Sequence, residues 1–356
     1  MLEQTINFKI TQAQASRITQ VDWENLPFGR VFSDHMLVME YADSEWKTPE
    51  ILPFGPIPVH PATSALHYGQ AIFEGMKANR SAEGDVLIFR PEMNARRFQE
   101  SCERMGMPIV PETLFVECVR KLVDLDREWI PNKPGFSLYI RPFMFATDEF
   151  VGIRPSDTYK FMIFASPVGA YYSEPVNVLI EEHYTRAAEG GVGRAKAAGN
   201  YGASLYPAKL GQQKGYHQLL WTDAKTHEYV EESGTMNIVF IINGKLVTPT
   251  EDSDTILRGI TKRSVIEVAQ SWGIEIEERK ITVKEIIEAI KNGSCSEAFG
   301  AGTAATIAHI NKIGFRGEDF FLPAIETRSF SLKMEKYLND LKNGLIQDEF
   351  GWLLKA

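Results

Sequence analysis

Strand-like runs and helical spacings recur in both halves of this chain without a regular strand-helix-strand order, and that mixture limits the fold more than any single motif. VFSDHMLVMEY (31–41), DVLIFR (85–90), SLYIRPFMF (137–145) and YKFMIFASPVG (159–169) predict strands. Ala95, Phe98, Cys102 and Met105 recur at intervals of three and four, and Val116, Val119, Val123 and Leu125 repeat the pattern, predicting two amphipathic helices. In the second half, NIVFIINGKLVTP (237–249) sets two strand-like runs around Asn243-Gly244, a hairpin turn whose residues both tolerate positive φ. Val265, Val268, Ala269 and Trp272 predict a helix face, with the turn Gly259-Ile260-Thr261 at its N-terminus. The class expected from this mixture is α+β. A chain of 356 residues outgrows one core, so two domains are expected. GAYYSEP (169–175) breaks the pattern and divides an N-terminal domain (1–168) from a C-terminal one (177–356), with 169–176 as linker.

Hydrophobic residues make up 44% and charged residues 24%, enough for a large core. A net charge of -9 argues against nucleic acid as the main partner, because a phosphate backbone requires clustered cations. A small-molecule ligand is expected instead. Cys102, Cys118 and Cys295 are odd in number and far apart, which fits packing in a reducing compartment rather than a disulfide framework. The first twenty residues lack the apolar core of a signal peptide, and no apolar run is long enough to span a bilayer, so a cytoplasmic location is expected.

Three segments carry candidate chemistry. In GGVGRAKAAGNYG (190–202) a lysine, Lys196, stands among glycines and alanines. A solvated loop lysine is the commoner case. The sharper alternative is a Schiff-base lysine, where a backbone without bulky side chains lets a flat cofactor approach and Arg194 supplies a neighbouring charge. VEESGTMN (230–237) sets two carboxylates before a small turn. Such pairs are usually solvated, yet one carboxylate facing a pyridine nitrogen would keep it protonated and make the ring an electron sink. The turns Gly259-Ile260-Thr261 and Gly300 to Ala304 could each aim amides at a phosphate, with Arg90 adding a charged fork. GAGTAA also satisfies a dinucleotide fingerprint with Glu318 and Asp319 downstream, but HINKIGFRGED contains no clean second strand, which disfavours a nicotinamide site.

Taken together, PFGRVFSDHMLVMEY, LHYGQAIFEGMKA, LIFRPEMNARR, SLYIRPF, GGVGRAKAAGNYG, EESGTMN, EAFGAGTA and the final DEFGW resemble, in order and over nearly the whole chain, the branched-chain amino acid aminotransferases of the fold-type IV pyridoxal phosphate enzymes. The resemblance implies a small N-terminal α/β domain, a larger C-terminal domain with a β-barrel-like mixed sheet, and pyridoxal 5'-phosphate at the domain interface. Lys196 matches the lysine that forms the internal aldimine and then moves the proton between substrate Cα and cofactor C4′. Tyr201 matches the residue bonded to the phenolic oxygen, and Glu232, rather than Glu231, the partner of the pyridine nitrogen. Phosphate contacts carry over to Arg90, the Ile260 and Thr261 amides and Thr303, and Arg186 matches another arginine near the cofactor. Substrate contacts carry over to Phe28, Phe73, Tyr139, Tyr171, Thr235 and Ala304, with Tyr68, Val151 and Ile153 serving the partner's site in a homodimer. Tyr68, Tyr139 and Arg141 are the polar groups expected to receive the distal carboxylate of glutamate. The implied reaction is ping-pong transfer between L-leucine, L-isoleucine or L-valine and 2-oxoglutarate, in the cytoplasm of a bacterium. Two departures stand out: Ala305-Thr306-Ile307-Ala308 occupies the place of the CxxC pair of animal mitochondrial members, so their thiol switch is absent, and Ser233 replaces a small apolar residue.

Overall fold

The computed structural model describes residues 6–169 and 174–356. The chain forms two compact units: Met1–Tyr171 with Ala195–Ala198 and Asp340–Ala356, and Tyr172–Arg194 with Gly199–Asn339. The C-terminus and the segment holding Lys196 group with the first unit rather than with the chain on either side of them. The cause is main-chain pairing that leaves no pattern in sequence. Strand Leu353–Lys355 pairs antiparallel with Val86–Phe89, and Ala197 bridges Ile72. Residues 170–173 of the expected linker lie outside the described residues, and Val176 already begins strand Val176–Ile180.

The first unit is built, among the described residues, on a ten-stranded, mostly antiparallel sheet. Its centre is the pair Ser137–Ala146 and Tyr159–Val168, in unbroken register from Ser137↔Val168 to Ala146↔Tyr159. His35–Ala42 pairs with Tyr159–Val168 on one side, and Met76–Arg80 with Ser137–Ala146 on the other. Because side chains alternate across a strand, Leu138, Ile140 and Met144 enter the core while Tyr139 and Arg141 face the other way. Two helices cover the core. Pro91–Arg104 buries Ala95, Phe98 and Cys102 as expected, with Met105 just past its end. Glu112–Leu125 buries Phe115, Cys118, Val119, Leu122 and Val123, so the stripe lies slightly off the expected one and leaves Val116 and Leu125 half-buried. Phe98, Phe115 and Phe161 meet with ring centroids 5.3 to 5.7 Å apart.

The second unit contains a closed barrel of six strands. Val230–Ser233, Gln218–Thr222, Val176–Ile180, Thr306–Phe315, Cys295–Gly302 and Met236–Ile242 pair in sequence round the ring, and Val230–Ser233 returns to Met236–Ile242 through Glu232↔Asn237. Closure leaves these strands without open edges. Ile238, Phe240, Ala298, Ile310 and Ile313 pack with Val283, Ile286 and Ile287 of helix Val283–Lys291. The Asn243-Gly244 hairpin is present with φ of 51° and 77°, and helix Ile260–Ser271 begins after Gly259 as its spacing predicts. The expected turn at Gly300 to Ala304 is shorter than anticipated: Gly300, Ala301 and Gly302 remain in strand, paired with Ala308, Ile307 and Thr306. Glycine suits these strand positions because a Cβ at Gly300 or Gly302 would come within 2.7 or 2.9 Å of the Met236 side chain.

The three cysteines are buried and unpaired, and burial pushes the Cys102 and Cys295 thiols up to about 12, as packing residues require. Among the described residues, no helix is long and apolar enough to cross a membrane.

Candidate active site

In the first unit, the candidate residues gather round Lys196. Its amide donates to Ser101 Oγ at 3.0 Å and its carbonyl accepts from the Phe73 amide at 3.1 Å, so the main chain is held on both sides. Its Nζ lies 4.8 Å from the centroid of the Phe73 ring, and the residue is half-buried rather than the solvated loop lysine that is commoner in general. The Arg141 guanidinium stands 4.7 Å from the same ring and donates to the Tyr139 hydroxyl at 2.9 Å. Phe28 closes on Tyr139 edge-on at 5.0 Å. Thus Phe28, Phe73, Tyr139, Arg141 and Lys196, expected together from separate segments, share one corner of aromatic faces and two cations. Gly75 fits beside it because a Cβ there would overlap the Tyr139 hydroxyl.

Arg90 ends strand Val86–Phe89 with φ of 49°, a left-handed conformation that costs a non-glycine residue about 1 kcal/mol or more. Its amide donates to the Trp352 carbonyl at 2.7 Å and its guanidinium packs 4.4 Å from that ring, so the final DEFGW segment fixes the arginine in this pose. Tyr68, Val151 and Ile153 lie on the surface, Ile153 being 92% exposed, alongside exposed Leu66 and Phe150. The chain stretches holding them are tied by the Thr63↔Glu149 bridge and by the Ser64 amide donating to the Asp148 carbonyl. Tyr171 lies outside the described residues.

In the second unit, Glu232 is buried at 3% exposure. Its Oε1 accepts from the Leu257 amide at 2.8 Å and the Asn237 side-chain amide at 3.3 Å, and its Oε2 is in ionic contact with Arg186 Nε at 2.8 Å. Arg186, expected only as an arginine near the cofactor, is therefore the ion partner of Glu232, and its guanidinium also donates to the Gly193 and Thr255 carbonyls. Arg186, Tyr201, Glu232 and Thr235 line one pocket with Asn200 and Leu257. Glu231, also buried, accepts from the Thr255 hydroxyl at 2.5 Å. Burial raises its pKa, an effect that the Thr255 hydrogen bond and the Arg186 charge only partly offset.

Gly259, Ile260 and Thr261 form a buried helix start with no side-chain cap. A Cβ at Gly259 would overlap the Asn237 side-chain oxygen, so only glycine brings the backbone in this close. The first-turn amides of such a helix attract anions. Thr303 and Ala304 sit in the connection between Cys295–Gly302 and Thr306–Phe315. Asn237 is the residue the sequence reading passed over: the hairpin register pairs it directly with Glu232, and the two-residue turn in EESGTMN was the available signal. Among the described residues, no cluster of three His, Cys, Asp or Glu side chains could hold a metal ion.

The class IV amino-transferase model matches residues 71–313. The chain is 44% identical to branched-chain-amino-acid aminotransferase 2 of Bacillus subtilis (strain 168), over 99% of this chain and 97% of that protein. Among solved structures, it resembles the branched-chain aminotransferase of Thermoproteus uzoniensis with norvaline, at a TM-score of 0.75 and 25% identity, covering 90% of this chain and 99% of that one. The enzyme of Thermobaculum terrenum in its pyridoxal phosphate form matches with a TM-score of 0.71 at 25% identity, covering 90% and 97%. With this match running almost end to end through the segments that hold Lys196 and Glu232, the chain belongs to the class IV aminotransferases, in their branched-chain amino acid branch.

Proposed function

We propose that the protein moves the amino group of L-leucine, L-isoleucine and L-valine reversibly to 2-oxoglutarate, giving branched-chain 2-oxo acids and L-glutamate, with pyridoxal 5'-phosphate as resident cofactor and Lys196 as the residue that carries it. The observation that carries this reading is the corner in which Lys196 lies over Phe73 beside Tyr139 and Arg141. The donors fit the cofactor in kind: an amine for the aldehyde, a buried carboxylate for the ring nitrogen, and an uncapped helix start for the phosphate. When bound, the cofactor supplies an aldehyde and an electron-withdrawing pyridine ring. Lys196 Nζ would hold the aldehyde between turnovers and, once freed by substrate, would move the proton at the substrate Cα. Glu232 holds the ring nitrogen protonated, and Arg186 supplies its counter-charge. Tyr201 bonds the phenolic oxygen, while Arg90, Thr303 and the Ile260 and Thr261 amides receive the phosphate.

Phe28, Phe73, Tyr171, Thr235 and Ala304 wall the substrate side chain, where each buried methylene contributes about 0.8 kcal/mol. Tyr139 and Arg141 receive the distal carboxylate of glutamate, the Arg141–Tyr139 hydrogen bond already orienting both. Tyr68, Val151 and Ile153 complete the partner's site in a homodimer, which accounts for apolar side chains left on the surface. The protein is cytoplasmic in this reading. The test is turnover of L-leucine with 2-oxoglutarate by the purified protein: Lys196→Ala abolishes it, and turnover that survives the substitution overturns the reading.

A further inference from the structure

The most fully buried carboxylate beside the candidate site belongs to a residue with no role so far. Glu74 is wholly buried, follows Phe73 directly, and is gripped by helix Pro91–Arg104. Arg97 forks onto both of its oxygens, Nε to Oε1 at 2.7 Å and Nη2 to Oε2 at 2.8 Å. Asn94 Nδ2 donates to Oε2 at 2.7 Å and to the Gly75 carbonyl at 3.2 Å, and the Gly75 amide donates to Oε2 at 3.1 Å. The same two elements hold Lys196. On the strand side, the Phe73 amide donates to the Lys196 carbonyl. On the helix side, the Lys196 amide donates to Ser101 Oγ, which donates in turn to the Arg97 carbonyl at 3.0 Å. The Glu74–Arg97 pair therefore locks together the strand and the helix that grip the Lys196 main chain from opposite sides.

The electrostatics run the same way. Burial alone would raise the pKa of Glu74, yet the Arg97 charge and hydrogen bonds, the charge of Lys196 and the Asn94 amide together hold it below the ordinary carboxylate range. Glu74 is thus an anion, and Lys196 is close enough to act on it.

We propose, resting on the assignment of Lys196 above, that Glu74 is a positioning residue: clamped by Arg97 and Asn94, it fixes the Lys196 backbone and offsets the positive charge that the Lys196 amine gains when it takes a proton from the substrate. A purely structural role would involve only the join between strand and helix. The two roles separate in the protein before cofactor is added, by pulse acylation with acetic anhydride across a range of pH, reading each lysine by peptide mass.

In Glu74→Gln, the acylation profile of Lys196 moves to lower pH, the direction that loss of a nearby opposite charge gives. The profile of exposed Lys209 stays in place. Glu74→Asp restores most of the Lys196 profile. Should Glu74→Gln fail to fold, Arg97→Gln removes the cation that competes with Lys196 for the Glu74 carboxylate, and the Lys196 profile then moves to higher pH. A Lys196 profile that coincides with wild type in the folded variants overturns the proposal. Borohydride reduction of the cofactor-loaded wild type, followed by peptide mapping, is the separate control: a label on any residue other than Lys196 removes the assignment on which the proposal rests, whereas a label on Lys196 with no acylation shift removes the proposal alone.

Discussion

Glu231 and Glu232 are adjacent in one strand, and the pleat gives them different surroundings. Glu232 faces Arg186 and the Leu257 amide, while Glu231 meets the Thr255 hydroxyl and has its second oxygen buried without a hydrogen bond. Their consequences differ accordingly. Glu232→Gln lowers kcat by roughly a hundredfold, the usual loss when one electrostatic partner of the reacting group is removed, as a steady-state assay would show. Glu231 acts on stability. Its folded pKa is raised, so above the ordinary carboxylate range the unfolded chain gives up its proton first, and the stabilisation from the neutral form is lost as pH rises through the folded value. The stability that Glu231 contributes therefore falls as pH rises above the ordinary carboxylate value, so the urea midpoint of wild type relative to Glu231→Gln declines over that range. The burial of both carboxylates was not legible in the sequence, because paired acids at a strand end are usually solvated and only barrel closure removes them from water.

At the scale of elements, the helices and the Asn243-Gly244 hairpin were legible because their signals are local: apolar spacing for the helices, and two residues that accept positive φ for the turn. What escaped was set by distant chain. Glu297, inside strand Cys295–Gly302, accepts the amides of Ser329, Phe330 and Ser331 at 3.1, 2.9 and 2.7 Å. It thereby satisfies the start of helix Phe330–Lys342 from more than thirty residues away. Ser329, a favourable cap residue, directly precedes that helix, but nothing near it in sequence points to the distant carboxylate. Glu297→Ala leaves the Phe330 and Ser331 amides buried without an acceptor and costs about 1–3 kcal/mol per unsatisfied group, measurable as a lower urea midpoint with an unchanged m-value. Gly300 and Gly302 read as a turn for the same reason, since the Met236 side chain that demands their bareness comes from the neighbouring strand.

At the scale of the molecule, the sequence reading identified the fold class, the family and the residues that share the Lys196 corner, because those residues stand in short motifs of distinctive order. The pairing of the C-terminus with the first unit leaves no pattern in the sequence. Trp352 and strand Leu353–Lys355 bind back to Arg90 and Val86–Phe89, a pairing between residues more than 250 positions apart. In the proposed reaction one chain, holding one cofactor on Lys196, cycles between an amino donor and a keto acceptor. The most direct measurement is the visible absorption of the cofactor-loaded protein as L-leucine is added without acceptor, followed by 2-oxoglutarate. L-leucine is expected to remove the visible band, 2-oxoglutarate to restore it, and D-leucine to leave it in place. A band indifferent to L-leucine, or one that responds only to D-leucine, would contradict it.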